Sequence, residues 1–197
     1  LGISNCFIYG ETLPSPEEIS EALETIDSMN IIVLPNNSNI LPSVMAVRDI
    51  SDKNLSIIPT NNVIQGITAS YGFSEDETLQ ENVDSMKGFL NDAVGLFVYR
   101  STLDTVFGKT ELKVGDWFVT RSKKVLGRGE TSAEAVQAAI RTLDTGDITD
   151  ISIYHGDGFD PRDIDTVIAG IKQILPDAEV EEHFGGQSRA ALIISLE

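Results

Sequence analysis

Three short apolar runs, Cys6–Tyr9, Ile31–Leu34 and Leu55–Ile58, alternate with stretches of helical spacing in the N-terminal third. That alternation constrains the fold more than any other feature. The first spacer, "GETLPSPEEISEALETIDSM", offers Ser15 as an N-cap, Pro16 at the first helical position and acids in the first turn. Ile19, Ala22, Leu23 and Ile26 share one face of that predicted helix. Ile31–Leu34 carries no charge, as a strand buried on both faces should. In the second spacer Ile40, Leu41, Val44, Met45 and Val47 point inward, with Pro42 in a first turn where its missing N–H costs little. Strand–helix–strand–helix–strand in this order predicts a parallel sheet with right-handed crossovers.

The remainder has a different character. From Thr68 to Asp92 the chain reads as a glycine-containing connection and a helix carrying Leu79, Val83, Met86, Phe89 and Leu90. Gly95–Arg100 alternates like a strand. "DTVFGKTELKVGDWFVT" reads as strand segments turning at Gly108 and Gly115-Asp116, and a turn at Ser122–Lys124 leads into "KVLGRG". A helix capped at Thr131 or Ser132, a strand at Ile151–Tyr154 and a helix capped by Asp160 with Pro161 at its first position follow. Glu179–Phe184 and Ala190–Leu196 close the chain as a strand pair joined by Gly185-Gly186-Gln187. The predicted class is α/β, in two small subdomains. Residues 1–92 form a parallel, three-layer-type sheet, and residues 93–197 form a mixed sheet with helices.

Charge excludes several function classes. Fourteen Lys and Arg stand against 31 Asp and Glu in 197 residues, a net charge of −17. Such a chain is poorly matched to a nucleic-acid backbone, whose binding depends on Lys and Arg, and to an anionic membrane surface. Cys6 is the sole cysteine and there are two histidines, so neither an intrachain disulfide nor the usual zinc ligand sets can be assembled. No apolar run reaches the length of a membrane helix and no signal peptide is evident, which makes a cytoplasmic location the expectation. The first residue is Leu1 rather than Met, which suggests a piece of a longer chain.

The strongest site candidates are amides. Asn36, Asn37 and Asn39 follow the second apolar run. Thr60, Asn61, Asn62, Gln65 and Gly66 follow the third, so a parallel sheet would bring both loops to one rim. Amide side chains supply donors and acceptors without charge, which suits a carbonyl, hydroxyl or backbone amide. Helix capping and turn formation account for such residues about equally well. Gly185, Gly186 and Gln187 permit close approach of a partner's backbone, or simply a hairpin. His155, near Asp157 and Asp160, and His183 are secondary candidates, for which hydrogen bonding within a loop or strand is the commoner role. Lys123, Lys124 and Arg128, with Arg121, form a basic cluster that suits a solvated turn or an acidic partner. The glycine-rich phosphate loops and the nucleophile elbow are absent, as is a credible nucleophile–base pair.

"IIVLPNNSNI", "IIPTNNVIQGITA" and "HFGGQSRAALIISLE" resemble, in order and spacing, the C-terminal region of bacterial dihydroxyacetone-kinase-like proteins, including the fatty acid kinases. "GETLPSPEEISEAL" and "LKVGDWFVTRSKKVLGRG" extend the resemblance over nearly the whole chain. It implies a DegV-like fold and a non-catalytic module beside an N-terminal kinase domain that binds ATP and magnesium. No cofactor is implied for this part. The implied partners are a DegV-like fatty-acid carrier and the kinase domain itself, and a homodimer stays open. Asn36, Asn37, Thr60, Gln65, Gly185, Gly186 and Gln187 match motif positions, which the resemblance assigns to loop architecture and partner contact. The sequence departs from the family at Gly10-Glu11-Thr12-Leu13, where Gln, Thr and Met are usual. It departs again at Ser188-Arg189-Ala190, where Pro and aromatic residues are common. Two alternatives stay open: a small-molecule or lipid-binding DegV-like domain, and a kinase for a small alcohol, for which no nucleotide site is visible.

Overall fold

A computed structural model describes residues 5–9 and 12–197. The chain divides into two compact units, Leu1–Ala93 and Val94–Glu197.

In the first unit, α1 (Pro16–Glu24) starts as the sequence predicts. Ser15 Oγ accepts from the Glu18 N–H (3.2 Å) while the Glu18 carboxylate accepts from the Ser15 N–H (2.8 Å), a reciprocal capping box. The Lys53 ammonium donates to the carbonyls of Leu23 (2.9 Å) and Ile26, closing the other end of the helix. Strands β1 (Asn30–Val33) and β2 (Asn54–Ile57) pair in parallel with Val33 opposite Ile57, separated by α2 (Leu41–Ile50). Ile19, Leu23, Ile31, Val44, Val47 and Leu55 form their shared core. Helices α3 (Val63–Ser70) and α4 (Leu79–Gly88) follow.

The structure corrects the sequence reading of this unit at three places. Cys6–Tyr9 forms no strand, so the sheet has two strands rather than three. Phe7 and Ile8 are 51% and 86% exposed, and only Tyr9 reaches the core, so apolar composition alone did not recruit the segment into a sheet. Met45 faces solvent, because Val44 and Val47 already occupy the inward stripe of α2. Val63–Ser70 is a helix rather than part of a loop, which moves Gln65 and Gly66 into its first turns. Gly10 and Glu11, half of the divergent lead-in to α1, lie outside the described residues.

The second unit is built on a six-stranded sheet. Its strands are β3 (Val94–Arg100), β6 (Trp117–Arg121), β7 (Lys124–Gly129), β8 (Asp150–His155), β9 (Glu179–Phe184) and β10 (Leu192–Leu196), and they lie side by side in the order β7-β6-β3-β10-β8-β9. Between β3 and β6 a small hairpin, β4 (Thr105–Phe107) and β5 (Thr110–Leu112), stands as a separate two-stranded sheet. Helices α5 (Ser132–Ile140) and α6 (Ile164–Lys172) supply Val136, Ile140, Ile164, Val167 and Ile171 to a core shared with Leu96, Val98, Val119, Ile153 and Ile194. At Gly127 an added Cβ would lie 2.1 Å from the Ala135 carbonyl oxygen, so α5 packs directly on the β7 backbone.

Here too the topology differs from the sequence reading. β9 and β10 are not paired; β8 lies between them, parallel to β9 and antiparallel to β10. The charges explain the choice. β10 is buried along its length and suits the centre of the sheet, whereas Glu179, Glu181 and Glu182 suit an edge. Asp160 does not cap α6: its carboxylate accepts from the Arg162 N–H (3.0 Å), a 3₁₀ turn spans Pro161–Asp163, and α6 begins at Ile164.

Candidate functional site

Parallel pairing carries both amide loops to the carboxyl ends of adjacent strands. The Ile58 N–H extends the ladder to the Val33 carbonyl (3.0 Å), so the two loops leave the sheet at the same level. After Pro35, Asn36 adopts a left-handed conformation (φ 56°), which its short polar side chain tolerates better than most. Its N–H donates to Thr60 Oγ1 (2.8 Å), a side chain only 1% exposed. This hydrogen bond joins the loops across 24 residues of sequence.

Each neighbouring amide is fixed in turn. Asn62 caps α3 by accepting from the Gln65 N–H (3.0 Å), and Gln65 Oε1 accepts from the Asn61 N–H (2.8 Å). Gly66 is required by a close approach. A Cβ there would lie 2.1 Å from Asn36 Oδ1, so the asparagine side chain lies flat against α3. Asn37 Oδ1 accepts from the Asn39 N–H (3.0 Å) while its Nδ2 donates to the Tyr9 hydroxyl (3.2 Å). The result has two layers: a packed base of Asn36, Thr60 and Gly66, and a rim of Asn37, Asn39, Asn61, Asn62 and Gln65, of which Asn39 and Asn61 are exposed. Asn36 Oδ1 is buried and accepts no hydrogen bond from the described residues. A buried acceptor without a partner costs about 1–3 kcal/mol, which marks the base of this cluster as a strained or ligand-facing point. Chemically the rim offers uncharged donors and acceptors.

The other sequence candidates lie in the second unit. The Gly185 and Gly186 N–H groups donate to the His155 carbonyl (2.9 and 3.3 Å), and Gln187 Nε2 donates to the Tyr154 carbonyl (2.8 Å). The Gly185–Gln187 loop is therefore bound to the end of β8. His155 Nε2 lies 3.5 Å from a Glu182 carboxylate oxygen, and its ring meets Phe184 edge-on; its Nδ1 is buried with no partner among the described residues. His183 stacks on Tyr154 and lies 3.4 Å from Glu181. Arg128 is held by Asp116 (2.9 Å) and the Glu111 carbonyl (3.0 Å). Lys123 occupies the tight β6–β7 turn with φ 69°, next to Ser122 at 47°. Lys124 opens β7, and Arg121, like both lysines, is exposed. Arg162 donates to Asp160 and holds its carboxyl down at about 2. Among the described residues no three His, Cys, Asp or Glu side chains come together to hold a metal ion.

Sequence reasoning missed Tyr9, Asn36's conformation and the α3 helix. No periodic signal links Tyr9 to Asn37, 28 residues away. The helix was legible in Asn62 followed three residues later by Gln65, a capping pattern.

Residues 2–197 match the FakA-like C-terminal family, the C-terminal part of fatty acid kinases of the FakA type. The chain belongs to this family. Protein YloV of Bacillus subtilis is 25% identical over the whole chain, and an uncharacterized protein of Staphylococcus aureus, SAR1202, is 27% identical. The chain spans 36% of the length of each. Among solved structures, a DegV family protein from Eubacterium eligens loaded with heptadecanoic acid superposes with a TM-score of 0.66 at 15% identity, covering 94% of this chain and 78% of that one. The Streptococcus pneumoniae fatty acid kinase (Fak) B3 protein loaded with linoleic acid gives 0.63 at 14%, covering 94% and 76%. The dihydroxyacetone kinase from C. freundii in complex with AMP-PNP and Mg2+ gives 0.63 at 10%, covering 93% and 41%. These likenesses establish a DegV-like and dihydroxyacetone-kinase-like α/β fold. Among the described residues, no helix is long and apolar enough to cross a membrane.

Proposed function

We propose that this chain is a non-catalytic module of a fatty-acid-kinase-like protein, and that it engages a DegV-like fatty-acid carrier while a separate ATP- and magnesium-binding domain performs phosphoryl transfer. The family match over residues 2–197 carries the reading. The uncharged rim supports it: Asn39 and Asn61 offer exposed amides on a braced frame, and such groups recognise a partner's backbone without demanding a counter-charge. Isothermal titration calorimetry against the DegV-like carriers encoded by the same organism, without ATP, tests it. Binding is expected, weakened about tenfold or more in Asn39→Asp/Asn61→Asp, which places charge where the contact is neutral. No heat with any carrier overturns the proposal.

A second reading, a lipid-binding domain, is favoured by solved neighbours loaded with heptadecanoic and linoleic acid. Native mass spectrometry of the purified chain separates the two: a co-purified acyl ligand supports lipid binding, and a ligand-free spectrum opposes it.

A further inference from the structure

The β4–β5 hairpin exposes apolar side chains on a rigid frame. Leu103, Val106 and Val114 are 56%, 64% and 65% exposed, and Phe107 is 37% exposed although its ring meets Phe118. The base of the hairpin is closely braced. The Asp104 carboxylate accepts from the Val114 N–H (2.9 Å) and the Lys113 ammonium (3.3 Å), which holds its carboxyl below the usual range. Ser101 Oγ donates to the Leu103 carbonyl (2.7 Å), and the Lys113 N–H donates to Asp116 (2.7 Å). Apolar groups held outward on a braced arm lose little further entropy on docking, which is the physical signature of a preorganised contact.

Charge identifies the kind of surface that fits. Residues 103–128 hold six Lys and Arg against three Asp and Glu, within a chain of 14 against 31. The arm is thus the basic part of an acidic molecule, and Lys109 lies at its tip beside Gly108. An anionic membrane is a poor match, since a plane confronts the acidic remainder of the chain as well as the arm. A local protein surface confronts the arm alone. The chain itself carries one of complementary character. At the carboxyl end of α1, Glu24, Ile26, Asp27 and Met29 line a cleft of about 290 Å³, with Met29 61% exposed. Lys53, also in that wall, is already engaged by the Leu23 and Ile26 carbonyls.

We infer that the β4–β5 arm of one copy docks on the α1 cleft of a second copy, Val106 and Phe107 covering Ile26 and Met29 while Lys109 meets Glu24 and Asp27. Reciprocal exchange of two arms closes a two-fold dimer, with no open-ended growth. Long-range repulsion between two acidic chains is largely screened at about 0.15 M salt, whereas contacts of a few ångströms are not.

Sedimentation equilibrium on the whole chain, from about 10 μM to about 1 mM at about 150 mM salt, tests this over the range of weak dimers. A shift from monomer to dimer mass is expected. Val106→Ser/Val114→Ser, which removes only solvent-facing apolar groups, should weaken association about tenfold or more. Lys109→Glu should do the same, and combining it with Asp27→Lys should restore association. Circular dichroism of each variant establishes that it is folded. The inference is overturned by a chain that stays monomeric throughout, by a dimer indifferent to both arm variants, or by charge reversal without rescue. Monomers that sediment with phosphatidylserine vesicles would make the arm a membrane element and overturn it as well.

Discussion

Asn36 and Gly66 meet at a contact that neither residue reveals in sequence. The asparagine adopts φ 56° and lays its carboxamide against the α3 backbone, where any β-carbon would collide with it. Gly66→Ala should therefore destabilise the chain by about 1–3 kcal/mol, the usual cost of forcing an extra carbon into a packed contact. Asn36→Gly accepts the same backbone angle and removes the colliding side chain. In that background the cost of Gly66→Ala should fall well below its value alone, as read from urea denaturation of all four members of the cycle. Equal costs in both backgrounds would refute the contact. Asn36, Thr60 and Gln65 were recognisable as candidates because amides and hydroxyls stand out after uncharged strands. Which of them would be buried and which exposed was not, because burial depends on what packs over a residue from elsewhere in the chain.

At the scale of elements, most helix starts are written locally. Ser15, Thr78 and Thr131 each begin a capping box completed by a glutamate three residues on. Thr78 illustrates the consequence. Its hydroxyl and N–H both donate to Glu81 (2.7 and 2.9 Å), and these hydrogen bonds lower the Glu81 pKa. A carboxyl lowered on folding contributes stability above its unfolded pKa and loses it as pH falls through the folded value. Thr78→Ala should cost about 1 kcal/mol at neutral pH. It should also raise the Glu81 titration midpoint, measured by NMR of the side-chain carboxyl, and flatten the acid limb of stability. An unmoved midpoint would show that the box is not formed in solution. The same local logic failed for α6, because Asp160 turns its carboxylate to Arg162 instead of to a helix start.

For the whole molecule, the second unit has the makings of an independent domain. Its sheet and both helices enclose a continuous core that includes Leu96, Val136, Ile153, Ile171 and Ile194, none measurably exposed. A fragment spanning 94–197 should unfold cooperatively in denaturant with dispersed amide resonances. A collapsed fragment without a sharp transition would show that the unit depends on the rest of the chain. The sequence by itself determined the α/β class, the position of nearly every helix and strand, and the contrast between an uncharged central strand and a glutamate-bearing edge. These follow from periodicity, capping and charge, which act over a few residues. Tertiary structure alone decided that β10 inserts between β3 and β8, that Cys6–Tyr9 joins no sheet, and that Asn36 meets Thr60. Strand partners are chosen by burial summed over distant segments against the entropy of closing the loops between them. No short window of sequence contains that balance.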